Sequence, residues 1–137
     1  MLLSAPSIIL TAAVTLLTLL IKLAFVWGVG SARRRARIDA PAMSGDPGLE
    51  RALRIQGNTV EQLVVFLPAL WLAALYFQGW WAPILGLIWC LGRIVYGFTY
   101  GDYRARFPGF LLTLLPTAIL IILAAIGIFS AWTASSV

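Results

Sequence analysis

The sequence contains no histidine, a single cysteine (Cys90) and few charges. With no imidazole and only five acidic residues scattered along the chain, no group of side chains has the donor spacing of a metal centre. One cysteine excludes an intrachain disulfide, and because Cys90 lies inside an apolar run it leaves the redox compartment open. Charged residues make up 11% of the chain against roughly a quarter in soluble domains, and 61% of the residues are hydrophobic. That balance excludes an ordinary soluble domain. The net charge of +5 comes from arginines beside apolar runs, without any basic nucleic-acid motif, so it reads as topology and site charge and excludes a nucleic-acid partner.

What the chain has in quantity is long apolar sequence. Four stretches are long enough to span the hydrocarbon core of a bilayer: 6–30, 49–77, 81–100 and 109–132. They predict an all-α membrane protein, a four-transmembrane-helix bundle forming one domain over residues 1–137. A cleaved signal peptide is the rival reading of the first stretch, but no positive charge precedes Ile8 and the apolar run is too long. Lys22 in that stretch is read as snorkelling toward the basic end. Pro68 and Pro116 fall inside spans as kinks, Gln78 and Gly79 form a short turn, and Trp80 and Trp81 sit where interfacial aromatics sit. The segment Gly101 to Pro108 is read as a tight loop carrying Asp102, Arg104 and Arg106.

The polar residues are concentrated. On a helix, Glu50, Arg54, Asn58 and Glu61 fall four, four and three residues apart and form one stripe at the mouth of the second span. Placing a guanidinium, an amide and a carboxylate there costs several kcal/mol unless each finds a partner, so the stripe is the first site candidate. In the third span Arg93, Tyr96 and Tyr100 share a face, with Arg93 read as pairing with Glu61 or with a carbonyl. Structural readings stand beside these: an interhelical polar network for Arg54, Asn58 and Glu61, and interface aromatics for the tyrosines. Arg33, Arg34, Arg35 and Arg37 after the first span carry the positive-inside signal and face anionic lipid.

The run from Gly45 to Glu61 (Gly-Asp-Pro-Gly-Leu-Glu-Arg-Ala-Leu-Arg-Ile-Gln-Gly-Asn-Thr-Val-Glu), followed by Phe66-Leu-Pro-Ala-Leu-Trp, resembles the second helix of the MAPEG superfamily of membrane-associated proteins in eicosanoid and glutathione metabolism. Arg93-Ile-Val-Tyr96-Gly-Phe-Thr-Tyr100 is similar to its third helix and Arg106-Phe-Pro-Gly-Phe to the start of its fourth. The resemblance extends over nearly the whole chain from Ser31 onward. It implies a homotrimer of four-helix subunits with glutathione, as co-substrate, bound between neighbouring subunits, and a bacterial inner-membrane location with the site facing the cytoplasm. Carried over by position, it implies glutathione binding by Arg33, Arg54, Asn58, Glu61, Tyr96 and Tyr100, and thiol activation by Arg106, with Arg104 as its rival.

The implied activity is that of a membrane-bound glutathione transferase or peroxidase, in which the thiolate attacks a lipophilic electrophile arriving from the bilayer. The alternative is a non-catalytic member that binds lipid or a partner membrane protein. Two departures from the family pattern stand out: Gln62 and Leu63 follow Glu61 where an aromatic is frequent, and Phe107 stands where the prostaglandin-synthase branch has serine.

The connections between spans one and two and between three and four hold eight of the nine arginines once Arg51 and Arg54 are included, and the other connection and the termini hold none. Both basic connections are therefore expected on the cytoplasmic side, with both chain ends opposite. With Cys90 removed, an impermeant maleimide should label Ser44→Cys from the cytoplasmic face and Ser136→Cys from the other. Labelling of both from one face would contradict the topology.

Overall fold

The computed structural model describes residues 5–77 and 79–136. Four α-helices follow one another: α1 (Pro6–Ala36), α2 (Pro47–Tyr76), α3 (Trp81–Thr99) and α4 (Tyr103–Ser135), with no strand among the described residues. Each helix is long and apolar enough to cross a membrane, and the protein is an all-α integral membrane protein. Of the short turn expected after α2, Gln78 lies outside the described residues and Gly79 adopts a positive φ of 85°.

Helix ends explain where the expected boundaries shift. The 31 residues of α1 rise about 46 Å, well past a hydrocarbon core of ~30 Å, so its last turn carries Arg33, Arg34 and Arg35 beyond the apolar layer. It stops at Arg37, whose left-handed conformation (φ 56°) lets the Ile38 amide donate back to the Arg33 carbonyl at 3.2 Å. At the start of α2, Asp46 caps the helix by accepting from the Leu49 amide at 2.8 Å, Pro47 occupies the first turn, and Glu50 accepts from the Gly45 amide at 3.1 Å. The α4 boundary differs most from expectation: the helix begins at Tyr103 rather than Gly109. Asp102 accepts from the Arg104 amide at 2.8 Å, satisfying a first-turn donor, and Pro108 removes one backbone bond in the second turn without ending the helix. Arg104 and Arg106 consequently lie on a helix, not in a loop.

Contacts across the bundle give the relative helix directions. Asn58 meets Tyr96 and Phe66 meets Trp89, so α2 and α3 run antiparallel. Gly86 faces Val14 and Gly97 faces Phe25, so α1 and α3 run parallel. Gly92 faces Leu112 and Gly109 faces Tyr96, so α3 and α4 are antiparallel. The result is an up-down-up-down bundle in which α2 and α3 each pack on all the other helices, while α1 and α4 lie on opposite sides of that pair. The three arginine-bearing helix ends, of α1, α2 and α4, fall at one end of the bundle.

The core is a layer of Phe66, Leu70, Trp89 and Leu120, with Phe66 and Trp89 stacked at 4.3 Å and 9°. Buried hydroxyls need no interhelical partner: Thr11, Thr18, Thr59 and Thr113 each donate to a carbonyl one turn back in their own helix. The outer surface is apolar, with Leu16, Leu20, Leu23, Ile122 and Phe129 exposed, as a lipid-facing surface requires.

The α3/α4 contact is a close backbone crossing. A Cβ on Gly109 would stand 2.6 Å from the Tyr96 nitrogen and 2.9 Å from its Cα, and one on Gly92 would meet the Leu112 backbone carbon at 2.8 Å. Backbone cannot swing aside as a side-chain tip can, so overpacking there should cost about 1–3 kcal/mol. Gly28 in α1 has nothing within 4 Å of the same position. Thermal unfolding in detergent should therefore show Gly109→Ala destabilised and Gly28→Ala unchanged or stabilised. Equal melting of Gly109→Ala and wild type would contradict the close crossing.

Candidate functional site

At the arginine-rich end, two grooves meet at one residue. The first, of about 510 Å³, runs along the outer face of α2 and is lined by Glu50, Leu53, Arg54, Gly57, Asn58 and Glu61, with Met43 and Ser44 from the preceding loop. The helical period puts the four polar residues on this wall, one turn after another. Arg54 and Glu61 are exposed, so the groove offers cation and carboxylate together.

The second groove, of about 290 Å³, lies between α2, α3 and the start of α4 and is lined by Asn58, Tyr96, Tyr100, Tyr103, Arg106, Phe107 and Phe110. Its charge is of one sign: no carboxylate lines it. The Asn58 amide nitrogen donates to the Tyr96 hydroxyl oxygen at 2.6 Å, tying α2 to α3. Tyr96 packs edge-on to Tyr100 with centroids 5.3 Å apart, and the Arg106 guanidinium lies 5.0 Å from the Tyr100 ring and 5.1 Å from that of Tyr103. Those ring faces hold a planar cation while leaving its N–H edge available to an anion.

Arg54, Asn58 and Glu61 thus fall on the first groove, and Asn58, Tyr96, Tyr100 and Arg106 on the second. Arg33 falls on neither. Its Nη1 donates to the Ala42 carbonyl at 2.7 Å and braces the loop that carries Met43 and Ser44 to the first groove. Arg104, exposed on the first turn of α4, does not line the second groove either. Arg93 does not pair with Glu61 or a carbonyl as expected; its guanidinium has no hydrogen-bond partner and lies against the Tyr96 ring, 4.2 Å from the centroid. Tyr103 and Phe110 went unrecognised as groove residues in the sequence reading. The signal for Tyr103 is its place three residues before Arg106, which counts only once that segment is known to be helical.

A third, largely apolar groove of about 220 Å³ runs deeper between α2 and α4, lined by Glu61, Gln62, Val65, Thr113, Leu114 and Thr117. It shares Glu61 with the first groove.

A family model described as the MAPEG family matches residues 11–126. The chain belongs to the MAPEG family. Among relatives, an uncharacterized protein of Synechocystis sp. is 43% identical over 120 residues, covering 85% of this chain and 86% of the relative. Human microsomal glutathione S-transferase 2 is 38% identical over 125 residues, covering 90% of this chain and 85% of its own. Leukotriene C4 synthase of Cavia porcellus is 38% identical over 91 residues, covering 66% of this chain and 61% of its own. The matched MAPEG span contains all three grooves and both helix ends that carry Arg54 and Arg106.

Proposed function

We propose that this MAPEG protein is a membrane glutathione transferase that conjugates the glutathione thiolate to lipophilic electrophiles, acting as a homotrimer with its site on the cytoplasmic side. The observation that carries the reading is the separation of charge about Asn58: mixed cation and carboxylate on one side, cation and aromatic faces on the other. Glutathione has the complementary layout. Its zwitterionic end needs both Arg54 for a carboxylate and Glu61 for the ammonium. Its central cysteine thiol, as thiolate, needs positive charge without competing carboxylate.

The chemistry follows from the thiol. A free thiol has a pKa of about 8.5, and bringing it to ~6.5 takes about 2.7 kcal/mol of preferential thiolate stabilisation. Arg106 on the first turn of α4 supplies a guanidinium, and the Asp102-capped helix start adds the positive end of its dipole. The thiol proton leaves to water, the sulfur pair forms the new S–C bond, and the leaving group departs with its bonding electrons. With a lipid hydroperoxide, two thiols would instead give the alcohol, water and a disulfide. The groove lined by Val65, Thr113, Leu114 and Thr117 opens a path for the lipophile from the bilayer. In a trimer, Arg33, which lines neither groove of its own subunit, would act at the site of a neighbouring copy.

With the protein in lipid nanodiscs, Arg54→Ala should weaken glutathione binding by about ten- to a hundredfold, the loss of one charge-assisted contact of roughly 1.5–3 kcal/mol. Arg106→Ala should bind nearly as well as wild type yet lose the ultraviolet thiolate signal at neutral pH and most conjugation of an activated aryl halide, because it removes a thiolate contact rather than uniform binding. Arg104→Ala should keep both. Survival of the thiolate signal in Arg106→Ala with its loss in Arg104→Ala would overturn the assignment. Wild type that binds glutathione without ionising it would support instead the non-catalytic, lipid- or partner-binding reading.

A further inference from the structure

Among the described residues, Arg93 is the one charged side chain that is fully buried, at 0% exposure. Its Nε, Nη1 and Nη2 all lack a hydrogen-bond partner. The guanidinium instead sits against aromatic rings, 4.2 Å from the Tyr96 centroid and 6.0 Å from that of Trp89. On the facing helix, Gln62 lies between the Asn58–Tyr96 and Phe66–Trp89 pairs, and its Oε1 is likewise buried and unpartnered. A neutral amide leaves the charge uncompensated. Burying a cation this way is costly, and if packing were its only purpose an apolar residue of the same length would serve better.

The ring contact gives the charge a use. A cation on the face of a phenol draws electron density from it and makes the hydroxyl a stronger donor toward an anion. The Tyr96 oxygen already accepts from Asn58 at 2.6 Å, so its own proton is left to donate elsewhere, and Tyr96 lines the second groove. Around Tyr96 stand Arg93 and Tyr100 from α3, Asn58 from α2, with Arg54 and Glu61 beyond it in the adjoining groove, and Gly109 from α4, with Arg106 and Tyr103 across the groove. Of the carboxylates nearby, Glu61 belongs to the first groove, and Asp102, one turn before Arg106, is engaged in capping the α4 amides.

We propose that Arg93 is a positioning residue for the thiolate: lodged behind Tyr96, it acts through the phenol, which donates its hydrogen bond to the bound sulfur anion while Arg106 faces that anion from the other side. This rests on the thiol site proposed above and assigns a residue to it that never touches the ligand. The thiol proton goes to water at the groove mouth, and Tyr96 keeps its own.

The experiment is an ultraviolet titration of the thiolate of glutathione bound to the protein in nanodiscs, for wild type, Arg93→Met, Arg93→Lys, Tyr96→Phe and the Arg93→Met/Tyr96→Phe pair. Arg93→Met should raise the ionisation midpoint by about one pH unit, a tenfold loss of thiolate preference, while melting no lower than wild type. Arg93→Lys should keep most of the effect. Tyr96→Phe should shift the midpoint by a similar amount, and the pair no further than either alone, because the two residues act in series. An unshifted midpoint in Arg93→Met, or shifts that add in the pair, would overturn the proposal. Should Arg93→Met fail to fold, an unshifted Tyr96→Phe midpoint overturns it on its own. Failure of wild type to ionise glutathione at all refutes the transferase reading, whereas ionisation that ignores Arg93 refutes only this inference.

Discussion

The close crossing of α3 and α4 at Gly92 and Gly109 is the contact on which the site geometry depends. With no Cβ on either residue, the two backbones come near enough for Tyr96 to lie against the first turns of α4. That distance lets Tyr100, Tyr103 and Arg106 gather around one groove. The Asn58–Tyr96 hydrogen bond then fastens the same point of α3 to α2. Three helices are tied at one depth, just below the arginine-rich end.

Around that tie the protein sorts its charge. Arg54, Glu50 and Glu61 share the α2 face, whereas Arg106 stands among tyrosines in a groove that no carboxylate lines, and Arg93 is buried behind them. In water such sorting would matter little, since exposed charges a few ångströms apart are weakened by solvent. At the edge of a bilayer the effective dielectric is lower and each arrangement selects a ligand of the opposite pattern more strongly.

Much of this was readable in the sequence because membrane helices declare themselves by long apolar runs. The α2 stripe was readable too, since a 3.6-residue period puts Glu50, Arg54, Asn58 and Glu61 on one face whatever surrounds them. The start of α4 was not. Pro108 and Gly109 read as punctuation, and the Asp102 cap that begins the helix earlier is a local hydrogen bond invisible to hydropathy. That one boundary hid Tyr103 and moved Arg104 and Arg106 from loop to helix. Arg93 was misread for a different reason: its partner is a ring face, and sequence spacing led instead to a search for a carboxylate or carbonyl. Arg33 falls outside both grooves because its role on its own subunit is to hold the loop at Ala42.

The central claim is that one glutathione lies across Asn58, with its zwitterionic end in the α2 groove and its sulfur in the tyrosine groove. The most direct test is a crystal structure with the selenol analogue of glutathione, located by selenium anomalous scattering. The account predicts a selenium peak among Tyr96, Tyr100 and Arg106, with density for the ammonium and carboxylates leading back to Glu61 and Arg54. A selenium peak beside Arg54 and Glu61, or density confined to one groove, would contradict it.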